Sequence, residues 1–130
     1  MICLDSDFII DFLRGEEKAI EKIKVYKDEV TTTEVTKFEV FFGIYIKKKI
    51  DEHEEKSAQL FFDSIEILPF DDGCGREAAS ILTTLSKEGK TIEQNDCFIA
   101  AIMRRHGCTK IITGNIDHFK RIKGLEIENY

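Results

Sequence analysis

Residues 1–15 read MICLDSDFIIDFLRG. The apolar run Ile2-Cys3-Leu4 goes straight into Asp5-Ser6-Asp7, and apolar residues then resume at a new spacing. Phe8, Ile9, Phe12 and Leu13 share one face of a helix, and Gly15 is its natural stop. A strand that is apolar throughout is one covered on both faces. Carboxylates cost most where the backbone leaves such a core, so Asp5 and Asp7 call for compensation by a helix N-terminus, a basic partner or a metal ion.

Outward from this stretch the same alternation repeats. EEKAIEKIKVYKD is a second amphipathic helix, followed by a short strand from Glu29 to Thr32. Thr33 is a suitable N-cap for a helix through Lys48, and Asp51 starts another carrying Ala58, Leu60, Phe61 and Phe62. Ile65 to Phe70 reads as a strand, then a helix runs from about Gly75 to Lys87 with Gly89 behind it. Asn95 or Asp96 opens the helix CFIAAIMRRHG, Lys110 to Thr113 is a strand, and a helical turn (DHFKRI) leads to a last strand, Leu125 to Ile127. Strands alternating with helices predict an α/β fold with a mainly parallel sheet covered on both faces. In such folds the ligand site lies beyond the carboxyl ends of the strands, where the strand order reverses. Asp5 falls there, and so does whatever follows Thr113.

The 130 residues suit one domain spanning 1–130, and with 42% apolar and 34% charged residues the chain is neither disordered nor membranous. The longest apolar stretches, Val40 to Ile46 and Cys97 to Met103, run seven residues, far short of a bilayer span. No basic segment precedes an apolar one at the N-terminus, so a cytoplasmic location is expected. The four cysteines are never closer than eleven residues, which excludes a C-x-x-C pair and leaves buried reduced thiols as the reading. A net charge of −6 argues against a general nucleic-acid coat protein. Residues 1–96 carry 13 Lys/Arg against 22 Asp/Glu, a balance of −9, whereas residues 97–130 carry 6 against 3, a balance of +3. Arg104, Lys120 and Arg121 in that basic end are either a solvated face or a rim for phosphates.

Certain acids stand at strand ends or helix starts among apolar neighbours. Asp5 ends the first strand, Glu39 sits inside TEVTKFEVFFGIY, Asp96 opens a helix whose next seven residues are apolar, and Asn115 and Asp117 follow KIIT. Each has a plainer reading: Asp7 and Asp96 as helix caps, Glu39 as a surface residue, Asp117 as a solvated helix start. Together they would repel one another and raise each other's pKa values unless a cation lay between them. Carboxylates without His or Cys partners favour a hard ion, Mg²⁺ or Mn²⁺, which can activate water for phosphoryl transfer.

LDSDFIIDFLRG, TTTEVTKFEVFFGI and IEQNDCFIAAIMRRHGCTKIITGNIDHFKRIKGLEIENY resemble, in order and spacing, the PIN-domain ribonucleases, and in particular the VapC-type toxins of toxin–antitoxin pairs. The first resembles the family's LDTNxxIDxLRG opening, the second its T-x-x-E-x-x-x-G helix at Thr36, Glu39 and Gly43, the third its D-x-x-IAA run and T-x-[DN]-x-x-H-F element. The resemblance implies a three-layer α/β/α PIN-like domain and a divalent-metal-dependent endoribonuclease that cleaves RNA with a metal-activated water. It implies Asp5, Asp96 and Glu39 as metal-site acids, with Ser6 in place of the usual Thr. The fourth acidic position falls on Asn115, with Asp117 as a substitute if the loop curls. It further implies an antitoxin partner and a homodimer, for which Phe38 to Tyr45 and Phe61-Phe62 offer an apolar groove. Two other readings compete: a degenerate module that binds RNA or protein without turnover, and an aspartyl-phosphate enzyme of the haloacid-dehalogenase type. The latter would use Asp5 as nucleophile and Asp7 as general acid/base, and would also want a Lys and a later acidic pair at a strand end; Asp71-Asp72 is the only pair near one, and it falls too early in the chain.

Overall fold

The structure is a computed structural model describing all 130 residues. Five strands, β1 (Ile2–Leu4), β2 (Val30–Thr33), β3 (Glu66–Leu68), β4 (Lys110–Ile112) and β5 (Glu126–Glu128), form one sheet in the order β3-β2-β1-β4-β5. Every pairing is parallel. The chain steps outward from β1 through β2 to β3, then returns to the other side of β1 for β4 and β5. The strand order therefore reverses between β1 and β4, and the crevice of such a sheet opens at that point.

Seven helices cover the sheet: α1 (Ser6–Leu13), α2 (Glu17–Tyr26), α3 (Glu34–Tyr45), α4 (Glu52–Asp63), α5 (Cys74–Lys87), α6 (Gln94–Arg105) and α7 (Ile116–Phe119). The period-2 alternation of the strands divides the core into two faces. Ile2, Leu4 and Ile112 pack with Phe8 and Ile9 of α1, Val40 and Ile44 of α3, and Phe61 and Phe62 of α4. Cys3, Leu68 and Ile111 point the other way, into Ile81 and Leu85 of α5 and Ile99, Ile102 and Met103 of α6. Phe8, Phe62 and Phe119 are among the largest fully buried side chains; each adds about 1.5–3 kcal/mol relative to exposure. Polar residues inside the sheet are satisfied: Thr31 Oγ1 donates to Glu66 O at 2.8 Å and Thr32 Oγ1 to Leu4 O at 2.7 Å.

Thr33 caps α3 by accepting the Thr36 N–H at 3.0 Å, and Asp51 caps α4 through the N–H groups of His53 and Glu54. Gly89, in the left-handed region at φ 68°, lies just past the end of α5. Some boundaries differ from the sequence expectation. α3 stops at Tyr45 rather than Lys48, and Lys47 instead pairs with Glu54 of α4 at 2.6 Å. α6 begins at Gln94 behind Glu93, so neither Asn95 nor Asp96 is its cap. The apolar groove expected from Phe61-Phe62 is also corrected: both belong to the core, and Leu60 beside them faces solvent. All four cysteines are free and buried. No helix is long and apolar enough to cross a membrane.

Candidate metal centre at the switch point

The Asp5 N–H donates to Ile112 O at 3.0 Å, so the residue leaves β1 while still tied to β4. It then occupies the N-cap position of α1, the role that the sequence suggested for Asp7. Its Oδ1 accepts the Ser6 N–H at 2.8 Å and its Oδ2 accepts the Thr113 hydroxyl at 2.7 Å. The residue is only 5% exposed. Burial, and after it the charge of Asp7, pushes the Asp5 pKa up to about 7. Asp7 lies one residue into α1. Its Oδ1 accepts the Phe8 N–H at 2.7 Å and its Oδ2 accepts the Gly114 N–H at 2.8 Å. Asp7 thus pins the loop after β4 to the start of α1, and a Cβ on Gly114 would lie 2.7 Å from that Oδ2.

Asp96 comes from the first turn of α6. Its Oδ2 meets His118 Nδ1 at 2.9 Å and the Asn115 side-chain amide at 3.3 Å, while that amide also lies 2.9 Å from His118 Nδ1. Burial raises the Asp96 pKa, against the opposing pull of His118. Glu39 projects from α3, and its Oε1 is shut off from water with no hydrogen-bond partner. Burial, then the charge of Asp96, pushes Glu39 up to about 7, and the side chains of Asn95 and Ser6 partly oppose this.

The structure therefore gathers Asp5, Glu39, Asp96 and Asn115, with Ser6 beside them. It does not bring in Asp117, which is 79% exposed and paired with Lys120 at 3.0 Å. Arg104 is likewise removed from the rim: it lies about 12 Å along α6 from Asp96 and binds Glu77 and the Lys123 carbonyl. Arg121 donates to Thr91 O at 3.2 Å. Sequence reasoning missed two contributors, Thr113 and His118. Both stand in the TGNIDHF stretch, whose Thr and His were legible as letters but not as partners of Asp5 and Asp96. Asp71-Asp72 follows β3, two strands from β1, so no second acidic pair attends Asp5 as the phosphatase reading requires.

Asp5, Asp7, Glu39 and Asp96 have no Lys or Arg partner; His118 is the one cationic candidate at the group. The N-termini of α1 and α6 converge there, yet a helix end offers only about half a charge. Four carboxylates, all raised by burial and three of them further by one another's charge, and an orphaned buried carboxylate oxygen fit a hard divalent cation. The neutral Asn115 amide removes one charge from that set.

A family model described as PIN domain matches residues 2–125. Ribonuclease VapC2 of Rickettsia felis is 32% identical over 92 residues, covering 71% of this chain and 67% of the relative. Ribonuclease VapC3 of Methanocaldococcus jannaschii is 31% identical over 99 residues, 76% of this chain and 94% of the relative. Among solved structures, VapBC2 from Rickettsia felis bound to a promoter DNA fragment matches with a TM-score of 0.88 at 23% identity, over 100% of this chain and 99% of that one. The α/β/α sandwich with its parallel sheet is thus the fold of those proteins.

Proposed function

This chain belongs to the PIN domain family, and on that premise we propose that it is a divalent-metal-dependent endoribonuclease, the toxin of a type II toxin–antitoxin pair, acting as one domain over residues 1–130. The observation that carries the reading is the uncompensated acid group at the switch point, with Glu39 Oε1 buried and unpartnered. Asp5, Asp96 and Glu39 would hold Mg²⁺ or Mn²⁺, which when bound supplies positive charge for a phosphodiester and lowers the pKa of nearby water. The chain's own residues do the rest. Thr113 and the Ser6 N–H fix the Asp5 carboxylate, and His118 with Asn115 fixes that of Asp96. Glu39 would ligate the ion directly or through water and orient the attacking water, its buried Oε1 having no partner within the chain. The relatives' names, ribonuclease VapC2 and ribonuclease VapC3, agree with RNA as the substrate.

Phe38, Phe42, Tyr45 and Ile46 on and after α3, with Leu60 of α4, are all at least half exposed. Such an apolar face on so short a chain suits a protein partner, here an antitoxin segment or a second copy of the chain.

The test is cleavage of a mixed RNA pool by the purified, partner-free protein in EDTA, Mg²⁺ and Mn²⁺. Cleavage confined to the metal-containing reactions is expected; folded protein that leaves RNA intact in all three would overturn the reading. Gly114→Ala probes the loop clamp, because its Cβ would meet Asp7 Oδ2 at 2.7 Å. It should lower cleavage by about 10- to 100-fold, as loss of an outer-sphere support does, while far-UV circular dichroism stays unchanged. Wild-type rates from Gly114→Ala would show that the clamp does not matter.

A further inference from the structure

A second group of ligating side chains lies away from the acids. Asp71, Cys74 and His106 place their donor atoms all within 4.8 Å of one another. The Asp71-Asp72-Gly73-Cys74 turn builds it. Gly73 adopts φ 89°, the Cys74 N–H donates to Asp71 O at 3.1 Å, and Cys74 becomes the first residue of α5. That φ lies in the left-handed region that favours glycine, and a Cβ at Gly73 would also come within 2.7 Å of the Arg105 guanidinium. His106 arrives from the other side as the C-cap of α6.

The geometry is that of an incomplete coordination sphere. Cys74 Sγ lies 3.3 Å from Asp71 Oδ1, and His106 Nε2 lies 3.4 Å from the same oxygen. The latter approach lacks hydrogen-bond alignment, which leaves His106 Nε2 buried and without a partner. For zinc bond lengths of about 2.0–2.3 Å, the edges of a tetrahedron are about 3.3–3.6 Å, matching both separations. The Asp71 side chain is 49% exposed, leaving an open side for water as a fourth ligand. Carboxylate and thiolate together would neutralise a dication. Nitrogen and sulfur donors select a softer ion than the oxygen-rich acid group does.

We propose that Asp71, Cys74 and His106 form a binding site for a Zn²⁺-class transition metal, separate from the acid group and fastening the start of α5 to the end of α6. His106 stands ten residues past Asp96, about 15 Å along the helix axis, so the two sites share no ligand. The proposal does not depend on the nuclease reading.

The test uses the full chain, reduced and stripped with chelator, then titrated with Co²⁺ or Zn²⁺ under saturating Mg²⁺ to keep the acid group occupied. One equivalent should bind, Co²⁺ should give the near-ultraviolet charge-transfer band of a thiolate ligand, and Zn²⁺ should raise Tm. The band should vanish in Cys74→Ser and persist in Asp5→Asn. Zn²⁺ affinity should fall by about tenfold or more in His106→Gln, since even outer-sphere losses reach that size. Because His106 is partly exposed, His106→Gln decides the matter if Cys74→Ser fails to fold. A folded wild type without the thiolate band overturns the proposal, as does a band that survives Cys74→Ser or Zn²⁺ binding unaltered in His106→Gln.

Discussion

Asp5→Asn and Asp96→Asn should each lower metal-dependent RNA cleavage by about 10³-fold or more, because several kcal/mol of charge stabilisation leaves with the cation. Both substitutions keep the local hydrogen bonds within reach. In Asp5→Asn the amide oxygen can still accept the Ser6 N–H, and the amide nitrogen can turn to the Thr113 hydroxyl, which has lone pairs to offer. In Asp96→Asn the amide can still meet His118 Nδ1. Lost activity would therefore report lost charge rather than a collapsed site. Residues acting as one unit are not additive, so the double variant should fall little below the worse single one. Asp117→Asn supplies the contrast, since that carboxylate is 79% exposed and tied to Lys120; its cleavage rate should stay within about threefold of wild type, as surface changes away from a site usually do. Rates for Asp96→Asn near wild type, with the protein folded, would exclude the acid group as the reacting centre.

The parallel α/β architecture was legible because short strand-like runs alternate with helical segments and the first of them, Ile2–Leu4, is apolar throughout, a pattern that a doubly covered sheet produces. Asp5, Glu39 and Asp96 stood out for the same reason, as charges among residues bound for the core. What stayed hidden depended on direction in space. Asn115 and Asp117 are two residues apart, and at about 100° per residue of helix they point to nearly opposite sides; the sequence offered both, and only Asn115 turns towards Asp96. Leu60, Phe61 and Phe62 are equally apolar, yet packing against the sheet buries two of them and exposes the third. Asn95 and Asp96 are stronger capping residues than Glu93, which holds the N-cap of α6 without any side-chain bond, so the helix start was displaced. The basic C-terminal end left a solvated face and a phosphate rim both open because the partner of Arg104, Glu77, lies 27 residues away. The Asp71–Cys74–His106 group was invisible likewise, its histidine 32 residues beyond its cysteine.

In EDTA the protein should lose stability as pH rises from 5 to 8, the reverse of what paired surface carboxylates give. Asp5 titrates at about 3.8 when unfolded and at about 7 when folded. Below pH 4 it is protonated in both states and imposes no penalty. Between those values the unfolded chain ionises first, so stability falls by about 1.4 kcal/mol per pH unit, and above pH 7 the loss levels off on the order of 4 kcal/mol. Glu39 shifts in the same direction and shares part of the same repulsion, so its contribution overlaps that of Asp5. Asp71, Asp117 and Glu128 shift downward from 3.8, 3.8 and 4.5 and so act below the pH 5 to 8 window. Urea unfolding at pH 5 and pH 8 checks the sign. The wild-type midpoint should drop at pH 8 and recover on adding Mg²⁺, whereas Asp5→Asn in EDTA should be more stable than wild type at pH 8 and change less between the two. A wild-type midpoint that is flat or rising from pH 5 to 8 in EDTA would mean that Asp5 is already ionised and compensated without metal, and the electrostatic case for a cation at the switch point would fail with it.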